Sequence, residues 1–300
     1  MERVLPTTAA GPAITLGAEV HANGAVLVAV AASGQVVDVR QLWHPPGAAE
    51  LAEACQVLEA RWSQPVARMA LACDNPDQWL VLPELFLPAG PELTTLGTAT
   101  ARALAEFQHG ALRNCPDCLV VTVGHTLSAG ALRQGTPLLP LGRDLALAHL
   151  PVVEGGPRCS CGQRGCLQAV ASVPAWQRRA RDAGLEPPPP AGPDPATDQR
   201  NSLGARAARG DAVTLAALTE PVEQIARGIA IVAGAIGVRD LALQWTGTGS
   251  GDRLQQLLLT RVRHWWPAGR TVTPAQTGPL GAAWGAALWA QRQGCKRGNS

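Results

Sequence analysis

The chain has 300 residues, of which 46% are hydrophobic, and its formal net charge is +2 at pH 7. This apolar content can fill a sizeable core and argues against disorder, and so small a charge is not typical of nucleic-acid-binding or membrane-surface proteins. No segment approaches the roughly 20 apolar residues of a membrane helix, and no targeting segment is evident. We therefore expect a cytoplasmic protein with reduced thiols.

The first part of the sequence predicts a three-stranded meander followed by helices and strands. Two apolar runs meet near Asn23-Gly24, a dipeptide that favours a tight hairpin, and a second turn at Ser33-Gly34 leads into QVVDVRQLW. The spacing of apolar residues predicts a helix over 47–62, and ARMALAC is typical of a buried strand. A second helix over TATARALAEFQHGALR precedes CLVVTVG, whose continuous apolar run indicates a strand covered on both faces.

The second part of the sequence continues this alternation after an insertion. Segment 185–198 is rich in proline, which fixes φ and lacks a backbone donor, so we expect a flexible surface insertion there. Pro221 suits the first turn of the next helix, whose apolar stripe comprises Val222, Ile225, Ile229, Val232 and Ile236. RDLALQW then predicts a strand and GAAWGAALWAQRQ a closing helix. The alternation indicates an α/β protein in two lobes.

Three of the eight cysteines stand together in the segment HLPVVEGGPRCSCGQRGCLQ. Three thiols cannot pair off into disulfides, and a Cys-x-Cys bridge would be strained. Zinc instead takes four thiolate or imidazole ligands in a tetrahedron, and the candidates here are His149, Cys159, Cys161 and Cys166. The alternative is a loop of unpaired thiols beside a surface histidine.

The other cysteines give weaker signals. Cys55 and Cys73 lie at apolar periodic positions and are predicted to belong to the core. Cys115 and Cys118 form a Cys-x-x-Cys pair without a matching second pair, so we favour no metal or redox role for them.

The cysteine segment resembles the zinc signature of the ROK family (repressors, open reading frames and sugar kinases). PRCSCGQRGCLQAVAS is similar to the family's Cys-x-Cys-Gly-x-x-Gly-Cys-Leu-Glu segment, and ITLGAEVHANGAVLVAVAASGQVV resembles its first hairpin, especially in the regulator branch. The resemblance implies an α/β, two-lobed actin-like sugar-kinase ATPase (ribonuclease H-like) fold with a zinc knuckle. It also implies a structural Zn2+ on His149, Cys159, Cys161 and Cys166, and assembly as a homodimer or larger oligomer.

On this basis we expect an N-terminal lobe over residues 13–118 and a C-terminal lobe over residues 119–280. The second lobe would contain the zinc knuckle at 149–166 and the insertion at 185–198, and the closing helix 281–293 would pack back on the first lobe. About a dozen residues precede the first predicted strand, so we expect no N-terminal winged helix of the kind with which ROK repressors bind DNA.

The resemblance also implies that kinase chemistry has been lost. A ROK kinase carries its general base in an Asn-Asp-Ala-Asn run, and counting back from Glu106 places that acid at Thr98, whose hydroxyl is no base near neutral pH. We interpret Thr98 as a helix N-cap. The family's Gly-Thr-Gly-x-Gly-x-Gly phosphate loop aligns with GHTLSAG, where only Gly124 and Gly130 are kept.

The sugar contacts that the family implies are reduced in the same way. The Glu of its Glu-x-Gly-His motif aligns with Ala146, and the Glu after Cys-Leu becomes Gln168, which can still form hydrogen bonds. His149, which faces the sugar in the family, and Gln168 are therefore the candidates for sugar binding. The family's sugar loops have no clear counterpart between Cys73 and Leu96.

Three functions are compatible with these patterns. We favour a non-catalytic, zinc-stabilised ROK-family protein, a pseudoenzyme that senses a sugar or acts as a regulator or scaffold, without direct nucleic-acid or membrane partners. The alternative is an ATP- and Mg2+-dependent kinase of glucose or N-acetylhexosamine-type sugars with a displaced general base. A DNA-binding repressor with a cryptic motif is disfavoured by the nearly neutral charge.

Overall fold

A computed structural model describes residues 14–21, 24–44, 46–62, 66, 68–74, 92–139, 143–182, 184, 206–207, 209–246, 251–267 and 269–297. The predicted insertion at 185–198 lies outside these residues. The chain forms two compact units: the first comprises residues 1–105, 140–143 and 280–300, and the second comprises residues 106–139 and 144–279. No helix in the described part of the chain is long and apolar enough to cross a membrane.

The strands and helices follow the alternation that the sequence indicates. The strands are β1 (Thr15–His21), β2 (Gly24–Val30), β3 (Val36–Leu42), β4 (Arg68–Cys73), β5 (Glu92–Leu96), β6 (Cys118–Val123), β7 (Leu127–Arg133), β8 (Thr136–Pro137), β9 (Asp240–Trp245) and β10 (Val272–Pro274). The main helices are α1 (Ala48–Trp62), α2 (Thr98–His109), α3 (Leu167–Ala171), α4 (Val173–Asp182), α5 (Ala212–Ile236), α6 (Gly251–Trp265) and α7 (Gly281–Arg297).

The first unit contains a mixed five-stranded sheet in the order β3-β2-β1-β4-β5. β1 and β2 pair antiparallel with His21 opposite Gly24, and β1 pairs parallel with β4. The backbone N–H of Gly34 donates to the carbonyl of Ala31 over 2.9 Å, which closes the second turn of the meander. The predicted three-stranded meander is therefore present, although residues 22 and 23 of its first turn lie outside the described residues.

Helices cover both faces of this sheet. Leu27 of β2 belongs to an apolar cluster with Leu58 of α1, whereas the adjacent Val28 clusters with Ala287 of α7. Because successive side chains of a strand point to opposite faces, both faces of this sheet are buried at β2. A Cβ added to Gly17 would lie 1.9 Å from the carbonyl oxygen of Ala283, so the close approach of α7 to β1 requires glycine at that position.

The second unit contains a mixed five-stranded sheet in the order β10-β9-β6-β7-β8. β6 pairs antiparallel with β7 and parallel with β9. Its Val121 lies in one apolar cluster with Leu167 of α3, Ile225 and Ile229 of α5, and Leu258 of α6. The predicted apolar stripe of α5 is thus confirmed as the face that covers this sheet.

The position of Pro221 differs from the prediction. α5 begins at Ala212, where the carboxylate of Asp211 accepts a hydrogen bond from the backbone N–H of Thr214 over 2.7 Å, and Pro221 lies in the helix interior. The prediction was wrong because this N-cap, together with the buried Leu218, extends the helix upstream of the proline.

Glu106 is a fully buried carboxylate in the second unit. Its Oε1 accepts hydrogen bonds from the backbone N–H of Gln276 and from the N–H and hydroxyl of Thr277, and its Oε2 accepts one from the N–H of Ala111. A buried charge without partners is strongly unfavourable, so these donors are what make the burial of Glu106 tolerable. The side chain fastens the segment that follows β10 to the end of α2.

We expect Gly17→Ala to destabilise the first unit by about 1–3 kcal/mol, because the added methyl group overlaps the backbone of α7. Gly234→Ala on α5 is the matched control, since a Cβ there meets nothing within 4 Å, and it should gain about 0.5–1 kcal/mol from helix propensity. Urea denaturation of both variants measures the difference. A Gly17→Ala protein as stable as the parent would contradict the close packing of α7.

Candidate metal centre

The segment 149–166 forms a knuckle held by two isolated β-bridges. One bridge pairs Pro151 with Cys166, and the other pairs Arg158 with Arg164, both antiparallel. His149 enters the knuckle as the last residue of a short 3-10 helix, Ala146–His149. Cys166 leaves it as the N-cap of α3. The two ends of the knuckle are therefore brought together before α3 begins.

A tight turn inside the knuckle places its first two cysteines. The N–H of Cys159 donates to the carbonyl of Gln163 over 2.8 Å, and the N–H of Gly162 donates to the carbonyl of Cys159 over 3.0 Å. Gly165 has φ +69°, and a Cβ there would lie 1.7 Å from the carbonyl oxygen of Val153. Glycine is thus required at Gly165, both for its backbone conformation and for the space beside it.

Four potential ligand atoms converge in the knuckle. His149, Cys159, Cys161 and Cys166 each contribute one, and all four lie within 4.8 Å of one another. Cys159 Sγ is 3.5 Å from His149 Nδ1, and Cys161 Sγ is 3.6 Å from Cys166 Sγ. A tetrahedral zinc ion with ordinary bond lengths separates sulfur from nitrogen by about 3.5 Å and sulfur from sulfur by about 3.8 Å. The spacing of these atoms fits a zinc ion.

The surroundings of the thiols shift their pKa values in opposite directions. Burial, reinforced by the neighbouring thiols, raises the pKa of Cys166 to about 12. Burial also acts to raise the pKa of Cys159, but hydrogen bonds from the N–H of Cys161 and from His149 outweigh it and lower this pKa to about 6. Without a metal, the sulfur beside His149 thus carries a negative charge more readily than the fully buried sulfur of Cys166.

Two of the remaining cysteines, Cys55 and Cys73, lie in the core as the sequence predicts. Cys55 of α1 and Cys73 of β4 are buried in the first unit, and Cys118 is buried in β6. Cys115 is partly exposed. Within the described part of the chain, the one group of potential metal ligands is the cluster in the knuckle, and it does not include Cys115 or Cys118.

Gln168, predicted to contact a sugar, binds backbone groups of the second unit. Its Oε1 accepts a hydrogen bond from the N–H of Leu127 over 2.8 Å, and its Nε2 donates to the carbonyl of His125 over 3.0 Å. The side chain therefore braces the turn between β6 and β7, a contact that the sequence did not indicate. His149, the other candidate, is exposed at the rim of the knuckle.

In the first unit, the position at which the sequence resemblance predicts a catalytic acid lies at the start of α2. Thr98 is its first helical residue, and the N–H of Ala101 donates to the carbonyl of Gly97 over 2.9 Å. Gly97 thus holds the N-cap position that the sequence assigned to Thr98. One turn further along α2, Arg102 donates to Glu19 over 2.8 Å, and both side chains are largely buried. This ion pair was not foreseen from the sequence.

Solved structures with the same architecture include sugar kinases and a regulator. The ROK hexokinase of Thermus thermophilus matches with a TM-score of 0.77 and 22% identity, covering 94% of this chain and 99% of that chain. A ROK-family transcriptional regulator, a homologue of E. coli MLC, matches with a TM-score of 0.74 and 17% identity, covering 93% and 78%. At this identity the likeness establishes the fold: an α/β sugar-kinase, actin-like ATPase architecture with two mixed sheets.

Sequence relatives belong to the same two groups. The chain is 45% identical over 79 residues to kanosamine kinase of Amycolatopsis mediterranei, covering 26% of this chain and 25% of the kinase. It is 37% identical over 76 residues to the transcriptional repressor Mlc of Escherichia coli K12, covering 25% of this chain and 18% of the repressor. The aligned segments therefore span a quarter or less of these curated relatives.

The sequence profile of the ROK family matches residues 92–293, more than half of the chain, and the chain therefore belongs to the ROK family.

Proposed function

We propose that this protein is a non-catalytic, zinc-stabilised ROK-family protein with a sugar-sensing or regulatory role. The observation that carries the proposal is the polar arrangement at the start of α2. Thr98 and Arg102 are four residues apart and share one face of the helix, and Glu19 meets that face through its ion pair with Arg102. The position aligned with the catalytic acid thus has a hydroxyl, and the acid beside it is paired with a permanently charged guanidinium.

The knuckle supports a structural role for zinc. Four protein ligands leave no open coordination position, which is the arrangement of structural rather than catalytic zinc sites. In this proposal zinc fixes Cys166 at the start of α3, and α3 carries Gln168 to the turn between β6 and β7. With Nδ1 of His149 directed at Cys159, the second ring nitrogen would be free for an outer contact with a sugar.

The relatives support a sugar as the small ligand. A ROK glucokinase from Streptomyces griseus was crystallised with glucose and AMPPNP, and a ROK-family protein from Streptococcus pneumoniae with sucrose. The regulator relatives favour sensing over turnover for this chain, because they resemble it while acting as transcriptional repressors. We also propose a cytoplasmic homodimer, in which any DNA binding would depend on another protein.

An ATP- and Mg2+-dependent sugar kinase is the second candidate. The kinase relatives favour it, both in the 45% identical segment and in the fold of the Thermus thermophilus hexokinase. Glu19 would then be the displaced general base, because it is the buried acid that reaches the Thr98 face of α2. This requires Arg102 to release the carboxylate, which leaves a buried charge unpaired and is costly.

The purified protein should contain about one zinc ion per chain, measured by elemental mass spectrometry. Cys166→Ser removes a buried ligand and should lower the zinc content at least tenfold, with a large loss of thermal stability. Cys115→Ser is the matched control, since Cys115 lies outside the cluster, and it should keep its zinc. A metal-free parent protein, or a Cys166→Ser protein that keeps its zinc, would contradict the proposal.

The affinity for zinc should rise with pH. Burial raises the pKa of Cys166 to about 12, so the metal must displace the proton of this thiol throughout the neutral range. Each displaced proton makes the association constant rise about tenfold per pH unit. Competition with a chromophoric chelator between about pH 6.5 and about pH 8 measures how the association constant for zinc changes with pH. An affinity that does not depend on pH would show that no thiol proton is displaced.

A hexose panel separates sensing from catalysis. We expect at least one sugar to raise the melting temperature, because a ligand that binds only the folded state stabilises it. We expect no turnover above background with ATP and Mg2+ in a coupled assay, since loss of the general base alone costs about 10²–10⁴-fold. Sustained turnover that Glu19→Gln abolishes would establish the kinase alternative, and the absence of any sugar-induced shift would contradict sensing.

A further inference from the structure

The three thiols of the knuckle differ in their access to solvent. Cys159 is 8% exposed and Cys166 is 0% exposed, whereas Cys161 is exposed. A small oxidant in solution therefore meets the sulfur of Cys161 first. Oxidation of cysteine follows this kind of exposure and ends in a disulfide when a second thiol is close.

A second thiol lies beside Cys161. Its Sγ is 3.6 Å from Sγ of Cys166, and a disulfide bond of about 2.05 Å requires the two sulfurs to approach by roughly 1.5 Å. The loop between them contains Gly162 and Gly165, with φ +90° and +69°, whose backbones lack the Cβ that restricts other residues.

Cys159 is a poorer partner for Cys161. Its Sγ lies 3.5 Å from His149 Nδ1, and its backbone N–H is held by the carbonyl of Gln163. A bridge from Cys159 to Cys161 would also span one intervening residue, which strains the disulfide. The geometry therefore favours the pair Cys161 and Cys166.

We propose that the knuckle is an oxidation site at which hydrogen peroxide converts Cys161 and Cys166 into a reversible disulfide. Formation of the disulfide is argued from the distance and exposure of the two thiols alone. Only the accompanying loss of metal rests on the proposed zinc site. With two of four ligands tied up in a disulfide, His149 and Cys159 alone are too few to hold zinc.

The chemistry proceeds in two balanced steps. The sulfur of Cys161 attacks one peroxide oxygen, the O–O bond breaks, and a sulfenic acid and one water result. The sulfur of Cys166 then attacks that of Cys161, the S–O bond breaks, and a second water leaves. Each sulfur loses one electron and peroxide takes up both, while the two thiol protons leave in the waters. A dithiol reductant reverses the reaction by thiol–disulfide exchange.

The other described thiols are less exposed to this reaction. Burial raises the pKa of Cys55 and of Cys118 to about 12, so both stay protonated and shielded from solvent. Burial together with the nearby Asp240 also raises the pKa of the partly exposed Cys115. Because Cys161 is exposed, Cys55 and Cys118 are buried and Cys115 is only partly exposed, peroxide should reach the knuckle before it reaches these positions.

Peptide mapping of the full chain tests the proposal. Trypsin cuts after Arg158, Arg164 and Arg178, so a bond from Cys161 to Cys166 joins the peptides 159–164 and 165–178. Metal-free protein treated with hydrogen peroxide should lose two thiols and show this joined pair by mass spectrometry, and reduction should restore both peptides. An unjoined pair, or a disulfide confined to peptide 159–164, would overturn the proposal.

Two variants identify the cysteine in the first peptide. In Cys161→Ser the joined pair should disappear, whereas in Cys159→Ser it should persist, because only Cys161 is the expected partner of Cys166. A joined pair in Cys161→Ser would overturn the assignment. All samples carry Cys295→Ser in addition. This substitution removes a thiol whose side chain lies outside the described residues.

A second readout separates this inference from the zinc proposal. In metal-loaded protein, peroxide should release one equivalent of zinc to a chromophoric chelator for every two thiols lost. If the purified protein holds no zinc but the joined peptides form, the zinc site fails and the oxidation site stands. If the protein holds zinc, and peroxide neither releases it nor produces the disulfide, the oxidation proposal is wrong and the zinc proposal is retained.

Discussion

One imidazole and three sulfurs converge within 4.8 Å in the second unit, and this convergence constrains the segment 149–166 that leads into α3. The backbone of the knuckle forms two isolated bridges and several turn hydrogen bonds, such as the one from the N–H of Cys159 to the carbonyl of Gln163. α3 begins immediately after Cys166, and its Leu167 packs against Gly228 of α5. Gln168, the next residue, holds the turn between β6 and β7. The knuckle is thus directly continuous with a helix and, through Gln168, connected to a turn.

Two buried acids near α2 show how polar groups serve structure in this chain. The oxygens of Glu106 accept hydrogen bonds from Ala111, Gln276 and Thr277, and Glu19 is paired with Arg102. A carboxylate whose oxygens are engaged in this way stabilises the fold around it but is badly placed to take a proton from a substrate. The contacts of both acids thus contribute to the structure around α2.

The sequence predicted the features that depend on neighbouring residues. Apolar periodicity located the meander, the stripe of α5 and the closing helix, and the cysteine spacing located the cluster, because its members lie within one short segment. The features it missed depend on distant partners: Glu19 and Arg102 are separated by 83 positions, and Gln168 and Leu127 by 41. The prediction that Pro221 begins a helix was wrong for a different reason. The N-cap at Asp211 is also a local signal, and it starts the helix upstream of the proline.

This contrast between local and distant determinants bears on function. A zinc knuckle needs four ligands that one short loop can supply, so it can persist whatever happens elsewhere in the chain. A phosphoryl-transfer site needs a base, a phosphate cradle and sugar contacts contributed by separate segments, and each must be kept for the chemistry to work. In the described part of this chain the four ligand atoms converge within one short segment, whereas Glu19 is paired with Arg102 beside the start of α2. The proposed non-catalytic function requires this combination of a retained ligand cluster and an engaged carboxylate.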